Sequence, residues 1–142
     1  MKRRYHIDIS QLFFISGGRM KNLKSTLRLN GGFSLVSALV MLLLSNPLAQ
    51  LFSLASNSAF LVVGVGLLIF GGFVVYVSLY QLENKRLIQL ISLLDAGWVF
   101  GSLLIVVFQL FNLSATGYGL ITGVMVIIAF FAVDQFRQYK DL

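Results

Sequence analysis

Asp95 is the acidic residue placed inside a long apolar run of this sequence, and any chemistry within the apolar runs would centre on it. An ionised carboxylate in hydrocarbon costs at least a few kcal/mol, so such a side chain normally faces a bundle interior and has partners. It lies nine positions after Arg86, which puts it ~13 Å along a helix from that basic end. Asn30 and Arg28 fall at similar depth in an earlier run. Asn30 can hydrogen-bond the carboxylate, and Arg28 can snorkel outward or turn inward to neutralise it. Trp98 follows three residues after Asp95, on nearly the same face, with an indole N–H for a nearby acceptor. The readings open are a proton- or cation-binding site in a small transporter, a polar clamp that fixes helix packing or a protonated acid hydrogen-bonded to Asn30, and a surface-facing acid near a tilted helix end.

The other chemical possibilities narrow quickly. Asp134 stands near the end of the last apolar run, three residues before Arg137; that spacing predicts an ordinary interfacial ion pair rather than half of a two-carboxylate enzyme site. The absence of cysteine excludes disulfides, thiolate chemistry and Cys-ligated metal. The single histidine, His6, lies in a polar tail, so a histidine metal cluster is excluded too. No phosphate-binding loop, dinucleotide fingerprint or zinc-protease pattern appears. No nucleophile–base pair can be assembled, so the expectation is a non-enzyme without cofactor or metal.

Composition sets the frame for these residues. The chain has 142 residues, 58% hydrophobic and 11% charged, with mean hydropathy +0.88. Soluble domains have about 45–50% apolar and about 25% charged residues, so this is a membrane protein. Four apolar runs, over about 25–44, 59–80, 87–111 and 118–136, each approach the roughly 20 residues a helix needs to cross a bilayer. Helices are required because backbone groups in lipid must pair within their own segment. The expected fold is an all-α four-helix membrane bundle preceded by a basic segment over 1–24.

The 11 basic residues all fall on one side of that arrangement. Lys2, Arg3, Arg4, Arg19, Lys21, Lys24 and Arg28 precede or open the first span; Lys85 and Arg86 separate the second and third; Arg137 and Lys140 follow the fourth. The connections 45–58 and 112–117 carry no charge. Lys- and Arg-rich loops stay cytoplasmic, which predicts both termini inside a bacterial inner membrane. The net charge of +6 then reflects topology and contact with anionic lipid, with no nucleic-acid partner. In the first outer connection, Pro47 after Ser45 and Asn46 predicts a short interfacial helix over 47–54 with Gln50 facing water, whereas 112–117 reads as a plain turn.

Residues 1–19 differ from the rest: a basic start, a short apolar patch over 12–15, then Gly17, Gly18 and Arg19 before Met20. Two readings stand, a basic membrane-surface helix or sequence upstream of a start at Met20. The second follows because codons for Gly-Gly-Arg can contain a purine-rich ribosome-binding sequence.

A shift of 65 positions lays the first span on the third, so that Asn30-Gly31-Gly32-Phe33 meets Asp95-Ala96-Gly97-Trp98, and Ser37 meets Ser102. A shift of 57 lays the second span on the fourth, placing Gly66 on Gly123. Two helical hairpins of like topology, related by an approximate two-fold axis along the membrane normal, would give this pattern. Gly97 and Gly101, and likewise Gly119 and Gly123, have the four-residue spacing that lets helix backbones approach closely. Tyr76, Tyr80 and Tyr118 read as packing or interfacial-belt aromatics.

With early glycines Gly31 and Gly32, then Pro47, then the glycine-rich second span, the first hairpin resembles the short hydrophobic repeats of a bacterial acid-resistance membrane protein family. The likeness covers about a third of the chain, and that family is longer, with more spans. The whole chain resembles the small four-helix bacterial inner-membrane proteins of unassigned activity. The leading expectation is a non-enzymatic bundle acting by association, as a homo-oligomer or as an accessory subunit of a larger membrane complex. The alternative is a small proton- or cation-linked transporter or channel built on Asp95, Asn30 and Arg28.

Overall fold

Residues 9–140 are described by a computed structural model, apart from the side chains of 11–16, 19 and 20. They form five helices: α1 (Ile9–Leu43), α2 (Ser45–Leu51), α3 (Ser58–Tyr80), α4 (Lys85–Val107) and α5 (Ala115–Lys140). Four segments, Lys21–Leu43, Ser58–Tyr80, Lys85–Val107 and Ala115–Lys140, are long and apolar enough to cross a membrane. The four expected spans are therefore present. α1 runs back without interruption to Ile9 rather than starting a separate surface helix. Lys2, Arg3, Arg4 and His6 lie outside the described residues.

The breaks between helices have local causes. Pro47 falls in the first turn of α2, where its missing N–H leaves no intrahelical bond unmade. The Asn84 side chain caps α4 by accepting from the Leu87 N–H at 3.4 Å. The third span ends at Val107 instead of Phe111. Gln109, Phe111 and Asn112 adopt left-handed φ values of 48°, 69° and 48°, costing about 1–2 kcal/mol each for residues with a Cβ. Tyr118 holds this segment: its hydroxyl donates to the Leu110 carbonyl at 3.0 Å and accepts from the Leu113 N–H at 3.2 Å. The loop expected to be a plain turn is thus a structured cap, and Tyr118 serves it directly.

The helices pair as two hairpins, α1 with α3 and α4 with α5, which meet along α1 and α5. At the end carrying the termini, Leu23, Leu27, Val74, Val77, Ile88 and Ile91 form a fully buried apolar cluster drawn from α1, α3 and α4. At the opposite end, Ala49, Phe52 and Phe60 pack together, with the two rings edge to face at 5.0 Å. That second cluster is tied to the other hairpin by Ser114, whose hydroxyl donates to the Leu51 carbonyl at 2.6 Å and whose N–H donates to the Phe52 carbonyl at 3.1 Å. Ser114→Ala removes this side-chain bond and the one its hydroxyl accepts from the Gly117 N–H at 3.0 Å, and is expected to lower local stability there by about 1–3 kcal/mol. Hydrogen exchange reads this as faster exchange confined to 50–54 and 113–117; uniform acceleration through the spans would contradict it.

Candidate functional site

Asp95 sits where the two hairpins meet, on the buried face of α4 that also carries Ile88, Ile91, Ser92 and Ser102. It is 3% exposed, and Asn30, from α1, is 1% exposed. The Asn30 Nδ2 donates to Asp95 Oδ2 at 2.6 Å, so the residues matched by the 65-position shift are in direct contact. A second donor comes from α5: Gln135 Nε2 lies 3.3 Å from the same oxygen, and Gln135 is completely buried. The carboxylate therefore ties together α1, α4 and α5 by amide donors. Among the described residues no cation pairs with it.

One helical turn nearer the termini, the same motif recurs. Asp134 Oδ2 accepts from the Thr26 hydroxyl at 2.5 Å and from Gln138 Nε2 at 2.6 Å, and Gln138 Nε2 also reaches Thr26 Oγ1 at 3.2 Å. Thr26 and Asn30 are four residues apart on α1, which puts them on one face about 6 Å apart along the axis. Each rung thus holds one carboxylate, one donor from α1 and one glutamine amide from α5. Both glutamines leave their carbonyl oxygens, Gln135 Oε1 and Gln138 Oε1, buried without a hydrogen-bond partner. Ser92 adds a further tie between α4 and α5 by donating to the Ala132 carbonyl at 3.2 Å.

Several expected roles fall elsewhere. Arg28 is exposed and lines an open groove with Lys21, Lys24, Ser25 and Leu29, rather than neutralising Asp95. It stands two residues from Asn30, about 200° around the helix, so similar depth does not bring it to the same side. Trp98 is 37% exposed, and among the described residues it makes no hydrogen bond. Asp134 bonds Thr26 across the hairpin interface and Gln138 within α5 instead of pairing with Arg137, which is exposed. The glycines with the four-residue spacing also point away from the bundle. A Cβ on Gly97, Gly101, Gly119 or Gly123 would have nothing within 4 Å. Close approach occurs instead between α1 and α3, where a Cβ on Gly31 would lie 2.7 Å from Val75 Cγ2 and 3.2 Å from the Gly71 carbonyl oxygen.

The arrangement holds and orients two carboxylates on amide and hydroxyl donors. Among the described residues no three His, Cys, Asp or Glu side chains converge as a metal site. Thr26, Gln135 and Gln138 escaped the sequence reading, and Asp134 was read only as a partner of Arg137, because they sit where polar residues ordinarily mark a span's end. The available signal was the polar set 134, 135 and 138 on α5 together with Thr26 one turn before Asn30. Compared with protein-family models, with curated proteins and with solved structures, the chain matches none.

Proposed function

We propose that this is a non-enzymatic multi-pass protein of the bacterial inner membrane, with both termini cytoplasmic, that acts by association with a second copy or a larger membrane complex. The observation that carries this reading is the engagement of Asp95. Buried and bonded to Asn30 and Gln135, it joins the hairpins into one unit, and neither groove at that end of the bundle includes it. A tandem pseudo-two-fold relation of the hairpins is supported by the contact between Asn30 and Asp95, positions that such an axis would bring together. The outward glycines of α4 and α5 fit the association itself, because small residues leave room for another helix backbone.

Subunit counting by single-molecule photobleaching in lipid vesicles, paired with affinity purification from native membranes, tests this. Gly97→Ile and Gly123→Ile each place a side chain in open space, so the fold should be retained. The expected result is a loss of association of about tenfold, or ~1.4 kcal/mol. Single subunits at every protein-to-lipid ratio, with no stoichiometric partner, would overturn the reading.

A further inference from the structure

We propose that the two rungs form a proton-binding pair loaded from the end of the bundle that carries the termini, Asp134 with Thr26 and Gln138 serving as the entry and Asp95 with Asn30 and Gln135 as the store. This goes beyond association, which needs only that the rungs hold the hairpins together.

The unused acceptors make the case. A glutamine amide offers two donors and a carbonyl oxygen, and buried polar atoms are normally satisfied. Gln135 brings its amide to Asp95, since its Nε2 donates to Oδ2, yet its Oε1 has no donor and the residue is 0% exposed. Gln138 repeats this at Asp134. At each rung both donors fall on Oδ2, leaving the other carboxyl oxygen without a donor among the described residues and the glutamine carbonyl without a hydrogen. A proton supplies that hydrogen and removes an unpaired negative charge from the hairpin interface. Among the described residues no three His, Cys, Asp or Glu side chains converge there as metal ligands.

Access differs between the rungs. Asp134 and Gln138 are half-buried, whereas Asp95 and Gln135 are buried. The charged and titratable groups around them are turned to the surface or to the apolar cluster, Glu83 in the turn between α3 and α4 being exposed. On α1, Lys21 and Arg28 are exposed and Lys24 half-buried, lining the open groove. On α3, Tyr76 and Tyr80 are exposed, and on α4 so are Lys85 and Arg86. On α5, Arg137 and Lys140 are exposed, while Tyr139 packs against the apolar cluster. Among the described residues none of these bonds either carboxylate. In loading, hydronium gives its proton to the Asp134 carboxylate and leaves as water. The proton then moves to the Asp95 carboxylate, restoring Asp134, with one proton taken up and no change of oxidation state.

Infrared difference spectroscopy of the full chain in vesicles tests this during pH titration, with carboxyl-labelled aspartate identifying the bands in unmodified protein. The expected result is an aspartic-acid C=O stretch that grows on acidification and is lost in Asp95→Asn. In Asp134→Asn the Asp95 band persists, but its appearance after a pH jump slows at least about tenfold, or ~1.4 kcal/mol of barrier. Gln135→Leu, which removes a donor from the carbonyl oxygen, shifts the Asp95 band to higher frequency and keeps the test valid if Asp95→Asn does not fold. A labelled band that ignores pH over the range in which protein carboxyls titrate, about 3 to 9, would overturn the proposal. So would a band unchanged in both Asp95→Asn and Gln135→Leu.

Discussion

Asn30→Leu is expected to destabilise the bundle by about 2–3 kcal/mol, near the top of the range for stranding a buried hydrogen-bonding group. The two side chains branch alike and leucine is the larger, so none of the loss comes from a cavity and overpacking can only add to it. The loss comes from Asp95, whose Oδ2 is left with the 3.3 Å amide of Gln135 after its 2.6 Å donor is removed. The same logic makes the double variant Asn30→Leu with Asp95→Leu more stable than Asn30→Leu alone. Removing both polar partners avoids stranding the carboxylate, and contacting residues couple by about 0.5–3 kcal/mol. Asp95→Asn preserves shape and can still bond Asn30, so its cost stays nearer the ~0.6 kcal/mol typical of hydrogen bonds between membrane helices. Reversible unfolding in lipid, by steric trapping, measures all three. A value for Asn30→Leu within about 0.5 kcal/mol of wild type would place it among ordinary surface substitutions and sink the clamp.

Hydropathy was enough to find the four spans, because the need to pair backbone groups in lipid leaves few alternatives. The contact between Asn30 and Asp95 was also legible, through a shift of the sequence on itself that put two polar residues opposite each other. Angular position was harder to read. Taking Asp95 as inward, at about 100° per residue, Gly97 lies about 200° away and Gly101 about 240° away. Both therefore face outward, despite having the spacing of a packing motif. Ser102 comes back to within about 20° of Asp95 by the same count, and it is buried. Spacing along a helix identifies a face without saying which way it points; a buried polar residue supplies that direction.

The second rung was obscured for a different reason. Asp134 and Gln138 flank Arg137 shortly before Lys140 at the end of the last apolar run, where solvation by headgroups explains polarity without any internal partner. Their role depends on Thr26, more than a hundred residues earlier (a separation of 108 from Asp134). Thr26 is short enough to look unremarkable in an apolar helix, since its hydroxyl can bond its own backbone; here the Asn22 carbonyl lies 3.1 Å away and shares with Asp134 the one hydrogen of that hydroxyl. The cap at the end away from the termini was hidden likewise, because nothing local in 112–117 shows that Ser114 will bond Leu51.

Gly31→Ala should destabilise the chain by about 1–3 kcal/mol through overpacking, whereas Gly32→Ala, one residue away, should leave it unchanged or more stable by about 0.5–1 kcal/mol. The opposite signs follow from what each new methyl group meets. At Gly31 it would lie 2.7 Å from Val75 Cγ2, 3.2 Å from the Gly71 carbonyl oxygen and 3.3 Å from the Val75 nitrogen. The first contact is with a side chain that can rotate; the other two are backbone, and relieving them requires α1 and α3 to separate. At Gly32 nothing lies within 4 Å, so alanine adds only its better helix propensity. Gly71→Ala behaves as Gly31→Ala does, being 3.1 Å from the Gly31 carbonyl oxygen, and Gly72→Ala behaves as Gly32→Ala does. Because Gly31 directly follows Asn30, widening the α1–α3 contact also displaces the donor to Asp95. Gly31→Ala therefore weakens the clamp as well as the packing, and its effect falls short of additive when combined with Asn30→Leu. Unfolding measurements on both glycine pairs in one lipid decide the matter. Equal effects at Gly31 and Gly32 would mean that α1 and α3 do not meet through this face.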